Sequence, residues 1–162
     1  MLTTNIERID YNNQYQVDAL IGLLNAYASD PMGGGKPLPF NVLNELPNQL
    51  KQRSDAISLL AKHNDEYVGL LNAFEGFSTF SAKPLINIHD VYVKPECRGL
   101  AIAQKMILAI EKIGIERNCC KLTLEVLNKN EAAKSAYKKI GFHGYELDPE
   151  IGQAVFWQKE ID

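Results

Sequence analysis

Apolar and polar positions follow two periods along this chain, and the switches between them lay out its elements. Thr4 to Ile9 predicts a short strand, and Val17, Leu20, Ile21, Leu24 and Tyr27 then recur at helical spacing as far as Asp30. Pro31 stops that helix. Met32 to Phe40 holds Gly33, Gly34, Gly35, Pro37 and Pro39 and is expected to be a flexible loop. A second helix is expected within Asn41 to Arg53, with Pro47 at its start or breaking it in two.

Ala56 to Lys62 and Tyr67 to Phe77 read as strands of an antiparallel hairpin, reversed at His63-Asn64-Asp65-Glu66, where the Asn-Asp pair favours a tight turn. Leu85 to Val93, rich in β-branched and aromatic residues, is expected to be a central strand, followed by a loop from Lys94 to Gly99. Ile102, Met106, Ile110 and Ile113, with Ala103 and Ile107 beside them, mark one face of a long helix ending near Asn118. Leu122, Leu124 and Val126 alternate as a strand. Strand, long helix, strand is the crossover that joins two parallel strands. Asn130 can cap a last helix whose Ala133, Ala136, Tyr137 and Ile140 share a face, with Gly141 as its left-handed terminator. Phe142 to Tyr145 and Ala154 to Lys159 predict a final pair of strands.

Length and charge narrow this picture. The 162 residues suit one domain, 1–162, with a sizeable core. A net charge of -3 lacks the basic excess of a phosphate-backbone binder, so a small ligand is expected in place of nucleic acid. Cys97, Cys119 and Cys120 are odd in number and two are adjacent, which suits free thiols in a reducing cytoplasm. No leader pattern opens the chain and no apolar run reaches bilayer length, so neither targeting nor membrane insertion is expected. No metal site is read.

Two constellations carry chemistry. The first runs from Val91 through Arg98-Gly99-Leu100-Ala101-Ile102-Ala103 to Gln104, a strand passing through a loop into a helix N-terminus. Unsatisfied amides and the positive end of the helix dipole make such a point ready for phosphate or pyrophosphate, and Arg98 adds a forked charge. An ordinary strand-to-helix turn with a solvated Arg explains this segment equally well. Neither GxxxxGK[ST] nor GxGxxG is present. The second constellation is Asn130, Ala133, Tyr137, Gly141 and Phe142, which on its own is what many capped helices show.

Together, in this order, the two resemble the GNAT acetyltransferases, whose signature is Arg/Gln-x-x-Gly-x-Gly/Ala followed by Asn-x-x-Ala-x-x-x-Tyr-x-x-x-Gly-Phe. The second half is matched in full from Asn130 to Phe142; in the first, Ala101 replaces the first motif glycine. The added methyl crowds a backbone that the resemblance holds close to the pyrophosphate, so somewhat altered cofactor affinity is expected, although a helical conformation at that position does not require glycine. The resemblance implies an α/β (α+β) fold with a mixed, mostly antiparallel twisted sheet flanked by helices, and a central parallel pair splayed around acetyl-CoA as cosubstrate. It implies that Val91 and Val93 pair with the pantetheine arm and that the amides of Arg98, Gly99, Leu100, Ala101, Ile102, Ala103 and Gln104 take the pyrophosphate. It further implies that Asn130 and Ala133 border the pantetheine, that Tyr137 protonates the leaving thiolate, and that chains commonly pair as homodimers. A phenol, with a reference pKa of about 10, suits that protonation.

Amide formation needs a neutral amine and hence a proton acceptor. His89 and Asp90 are adjacent, so strand alternation is expected to send them to opposite faces, leaving one to face the acceptor. The nearest motif resemblance is to the spermidine/spermine and thialysine branch, whose proposed base is a Glu at the position of His89. An imidazole is a competent base near neutrality, and a half-buried strand His with a hydrogen-bond partner is the alternative. The same resemblance implies that Asp30 to Phe40, the loop between the first two helices, borders the acceptor, and Glu75, Asp90 and Glu125 are acidic candidates for holding a cationic amine. A CoA-binding regulatory module and a protein acetyltransferase remain the rival functions.

Overall fold

The computed structural model describes residues 3–145, 150, 152 and 154–161. The chain divides into two units, Met1–Leu127 and Asn128–Asp162.

The first unit is a five-stranded sheet with three α-helices. Its order is β1 (Thr4–Arg8), α1 (Gln14–Ser29), α2 (Phe40–Gln52), β2 (Ala56–His63), β3 (Glu66–Ser78), β4 (Lys83–Val93), a 3₁₀ turn (Pro95–Cys97), α3 (Ile102–Glu116) and β5 (Leu122–Leu124). The strands lie in sequence order. Pairings β1–β2, β2–β3 and β3–β4 are antiparallel and β4–β5 is parallel, as the crossover through α3 requires. Asn64 and Asp65 both take positive φ (49° and 66°), the mirror-type turn that matches strand twist.

Alternation along β3 sorts the helices onto the two faces of the sheet. Leu70 joins a buried cluster with Leu20 and Leu23 of α1, Leu50 of α2, Leu60 and Tyr92. Its neighbour Gly69 points the other way, where a Cβ would come within 3.2 Å of the Met106 methyl of α3. So α1 and α2 cover one face and α3 the other. The α3 face buries Ile102, Met106, Ile107 and Ile110, and the helix is drawn close over the parallel pair at Gly114, beside Ile86 and Leu122.

Three expectations are corrected in this unit. α2 runs unbroken through Pro47; it buries only Leu50, so the carbonyl that loses its partner sits on a surface helix and can turn to water. The loop after α1 is built rather than slack. Asp30 Oδ1 accepts the Met32 amide at 2.9 Å, the Asp30 carbonyl accepts those of Gly33 and Gly35, and Asn25 Oδ1 accepts that of Leu38 at 2.8 Å. Gly33 is needed here, because a Cβ would lie 1.9 Å from the Tyr27 carbonyl oxygen. β5 is three residues long and stops before Val126.

The second unit contains α4 (Glu131–Lys139). Asn130 caps it, its Oδ1 accepting the Ala133 amide at 3.1 Å. At the other end Gly141 takes φ 95°, its amide reaching the Lys138 carbonyl and that of Phe142 the Tyr137 carbonyl. These paired bonds satisfy the helix's last carbonyls in a Schellman motif. The expected strands at Phe142–Tyr145 and Ala154–Lys159 are absent. Among the described residues one backbone bond, Ala154 N–H to the Tyr145 carbonyl at 3.4 Å, links them, and a single bond is no ladder.

Candidate active site

The site begins with one extra residue in β4. Asn72 of β3 lies opposite Asp90, but the next residue, Ala73, lies opposite Ile88, so His89 has no partner and forms a bulge. A bulge shifts the alternation beyond it, and this overturns the expectation that His89 and Asp90 face opposite ways. His89 sets its ring edge-on to Phe74, with centroids 5.5 Å apart, and Asp90 Oδ2 accepts from Asn72 Nδ2 at 3.0 Å. Asn72 and Phe74 are two apart on β3, so both contacts lie on the α1–α2 face. His89 is exposed and no described residue hydrogen-bonds its ring, in contrast to a half-buried, partnered strand His.

Asp90 is held from behind by a buried polar chain. Tyr11 Oη donates to Ser58 Oγ (3.0 Å), Ser58 Oγ to Asn72 Oδ1 (2.7 Å), and Asn72 Nδ2 to Asp90. Ser58 and Asn72 are buried, so each needs its partner. Burial raises the Tyr11 phenol above its ordinary range, against the Ser58 bond and the Arg8 charge. The sequence signal for Asn72 was available: a lone polar residue between Leu71 and Ala73 on an apolar strand. Ser58, between Ile57 and Leu59, carried the same signal; for Tyr11 there was none.

The bulge also marks where the parallel pair parts. β4 pairs with β5 only through Ile86, Asn87 and Ile88. Beyond it, the Lys94 amide bonds the Val68 carbonyl at 2.9 Å. By antiparallel alternation, Tyr92 and Asp90 also bond toward β3, while the amides and carbonyls of Val91 and Val93 point to the opened edge.

That edge leads to the N-terminus of α3. Ala101 is the N-cap and offers no side-chain cap. The first bond into the helix is Lys105 N–H to the Ala101 carbonyl, and among the described residues the amides from Gly99 to Gln104 have no acceptor. Exposed donors at the positive end of a helix suit an anion. Ala101 is not helical: it sits at φ 57°, ψ 20°, a left-handed conformation that favours glycine and costs alanine about 1–2 kcal/mol. Gly99, at φ 83°, meets the same demand without that cost.

The Arg98 guanidinium turns back into the protein. Its Nε donates to the Val93 carbonyl (3.1 Å) and its Nη2 to Asp30 Oδ2 (2.8 Å), and the group lies 5.9 Å from the Tyr92 ring centroid. The Arg98 bond holds the Asp30 carboxyl below its ordinary range. The acidic candidates separate. Glu75 shares the α3 face with Leu71 and Ala73 and is paired to Arg117 at 2.7 Å, away from Asp90. Glu125 is exposed beyond the end of β5. In the second unit, Asn130 and Ala133 form the α4 cap described above, and the Tyr137 ring lies 6.0 Å from that of Phe142. Among the described residues no group of three or more His, Cys, Asp or Glu is placed to hold a metal, and no helix is long and apolar enough to cross a membrane.

A mixed sheet opened at its parallel pair, beside an uncapped helix N-terminus, defines an acyltransferase-like fold. Residues 20–142 match the Acetyltransferase (GNAT) family, well over half of the chain, and the chain belongs to that family. It is 37% identical over 65 residues to a thialysine N-epsilon-acetyltransferase of Bos taurus, a stretch covering 40% of this chain and 38% of that protein. With an uncharacterized N-acetyltransferase, YhfO, of Bacillus subtilis (strain 168), identity is 26% over 97 residues, 60% of this chain and 63% of that one. The chain thus spans under two-fifths of the length of the bovine relative. Among solved structures, an aminoglycoside acetyltransferase from an uncultured soil metagenomic sample superposes with a TM-score of 0.78 at 20% identity, over 98% of this chain and 97% of its own. Aminoglycoside acetyltransferase AAC(6')-Iy gives a TM-score of 0.78 at 15% identity, over 98% and 99%. These two likenesses concern the fold.

Proposed function

We propose that the chain is one domain, 1–162, that transfers the acetyl group of acetyl-CoA to the primary amine of a small cationic molecule, by direct attack in a ternary complex. Family membership supports the reaction class. The observation that carries it is the opened edge of β4, continuous with the partnerless amides at the start of α3. These groups fit a ligand with an amide-bearing arm and a pyrophosphate, and bound acetyl-CoA supplies an activated thioester. Val91 and Val93 pair with the arm, and the amides of Gly99 to Gln104 take the pyrophosphate; the expected Arg98 amide is excluded, because it already donates to the Pro95 carbonyl at 3.2 Å. Asn130, whose Oδ1 caps α4, donates from its amide nitrogen to the pantetheine, beside Ala133.

The amine nitrogen forms a bond to the acetyl carbon, the carbon–sulfur bond breaks, and the amine loses a proton. His89 or Asp90 accepts that proton, directly or through water, and Tyr137 gives one to the departing thiolate. Asp90, fixed by Asn72, also attracts the ammonium form on approach. A cationic acceptor accords with the mildly acidic chain and with the thialysine enzymes it resembles in part. The three free cysteines accord with a reducing cytoplasm.

The test incubates the protein with acetyl-CoA and polyamines, amino acids, aminoglycosides or peptides while following free thiol. Thiol release with diamines is expected, rising with pH, with Asp90→Asn raising the acceptor KM more than the acetyl-CoA KM. Binding of acetyl-CoA without thiol release from any acceptor would leave a regulatory module instead. A preference for acidic amino acids would refute the cationic assignment alone.

A further inference from the structure

One ion pair joins two loops that sequence keeps 68 residues apart. On one side Asp30 organises the turn after α1, through its carbonyl to Gly33 and Gly35 and its Oδ1 to Met32. On the other, Arg98 precedes the partnerless amides of α3 and also holds the Val93 carbonyl on the opened edge. The loop proposed to border the amine is therefore fastened to the loop proposed to receive the pyrophosphate.

The fastening is exchangeable. The Arg98 side chain is 51% exposed, against 16% for Asp30, so the guanidinium can leave into water, and a pair with one partner this exposed gains only modestly over the separated charges. Arg98 gives Asp30 a single bond at 2.8 Å, whereas a pyrophosphate offers its fork two oxygens and more charge. Once Arg98 leaves, Asp30 Oδ2 has no cation, while Oδ1 still holds the turn. Asp30 also lies on the side of Asp90: its partner Arg98 sits 5.9 Å from the ring of Tyr92, two residues along β4 from Asp90, and after burial the charges of Asp90 and Asp30 both raise the Tyr27 phenol.

We propose that the Asp30–Arg98 pair is a latch between the two substrate sites, in which pyrophosphate on the α3 amides draws Arg98 away and the released Asp30 carboxylate holds the ammonium of the incoming amine. This rests on the acetyl-transfer reading and adds Asp30 to it as an amine-binding residue. Because coupling between sites is reciprocal, CoA tightens the amine and the amine tightens CoA by the same factor.

Calorimetry with CoA and with 1,4-diaminobutane tests this on the wild type, Asp30→Asn, Arg98→Ala and the double variant. Asn keeps the oxygen that accepts the Met32 amide, so the turn survives. Asp30→Asn should tighten CoA about fivefold, equivalent to about 1 kcal/mol, and only where Arg98 is present. Diamine binding should be several-fold tighter with CoA bound in the wild type and lose that gain in Asp30→Asn. An equal tightening with and without Arg98 would reveal simple charge repulsion and overturn the latch, as would diamine binding indifferent to CoA. If CoA binds and Asp30→Asn changes nothing, the latch alone fails. If CoA does not bind the wild type, the latch and the acetyl-transfer reading fail together.

Discussion

β4 is one strand with two kinds of edge. From Lys83 to Ile88 it is flanked by β3 throughout and by β5 over Ile86 to Ile88; from His89 to Val93 it keeps only β3. The halves are divided by one inserted residue, His89; both bury side chains, Ile86 and Ile88 in the first and Tyr92 and Val93 in the second, but only the second also carries the candidate site. Pairing on both sides satisfies the backbone and leaves nothing for a ligand, whereas the bulge releases two residues' worth of donors and acceptors and turns two titratable side chains to one face. Residues of the paired half should therefore answer to stability alone, whereas His89, Asp90 and Val91 of the open half should answer to binding and turnover.

The largest expected effect lies in the paired half. Ile86 is fully buried under α3, and Ile86→Ala should cost about 2–5 kcal/mol, read as a lower urea midpoint at unchanged slope. A loss no larger than that of Val91→Ala would erase the contrast between the halves. Next comes Asn72→Ala, which removes the bridge between Ser58 and Asp90. It should cost about 1–3 kcal/mol and also raise the acceptor KM more than the acetyl-CoA KM; a loss of stability with both constants unchanged would make the polar chain structural only.

Tyr137→Phe keeps the ring that lies near Phe142 and removes the hydroxyl proposed to protonate the thiolate. Turnover should fall roughly 10- to 100-fold with acetyl-CoA affinity near normal, and unchanged turnover would return Tyr137 to a packing role. The smallest effect is at Ala101. Replacing it with glycine relieves the left-handed strain but loosens the unfolded chain, for a net gain of up to about 1 kcal/mol in thermal or urea unfolding. Lower stability in Ala101→Gly would contradict the conformation described for that residue.

What the sequence made legible was whatever a local period or a turn chemistry controls. α1 and α3 followed from their apolar spacing, the β2–β3 hairpin from Asn64-Asp65, and the end of α4 from Gly141. Features set by partners were not legible. His89 bulges because of how β4 meets β3, and no residue type in Leu85 to Val93 announces it. Pro47 looked like a breaker because its effect depends on whether the freed carbonyl is exposed, which only the packing decides. The Gly-rich loop looked slack because Asp30 and Asn25, which tie it down, lie at or before its start. Ala101 was located as a departure from the glycine pattern, but its left-handed backbone required coordinates.

Amide-resolved hydrogen exchange with and without acetyl-CoA tests the open edge most directly. Tyr92, already bonded to β3, should exchange alike in both states. The amides of Val91 and Val93, and those from Ala101 to Gln104, should become protected when acetyl-CoA is added. Acetyl-CoA binding that leaves those amides exchanging as in the free protein would contradict the placement of the site.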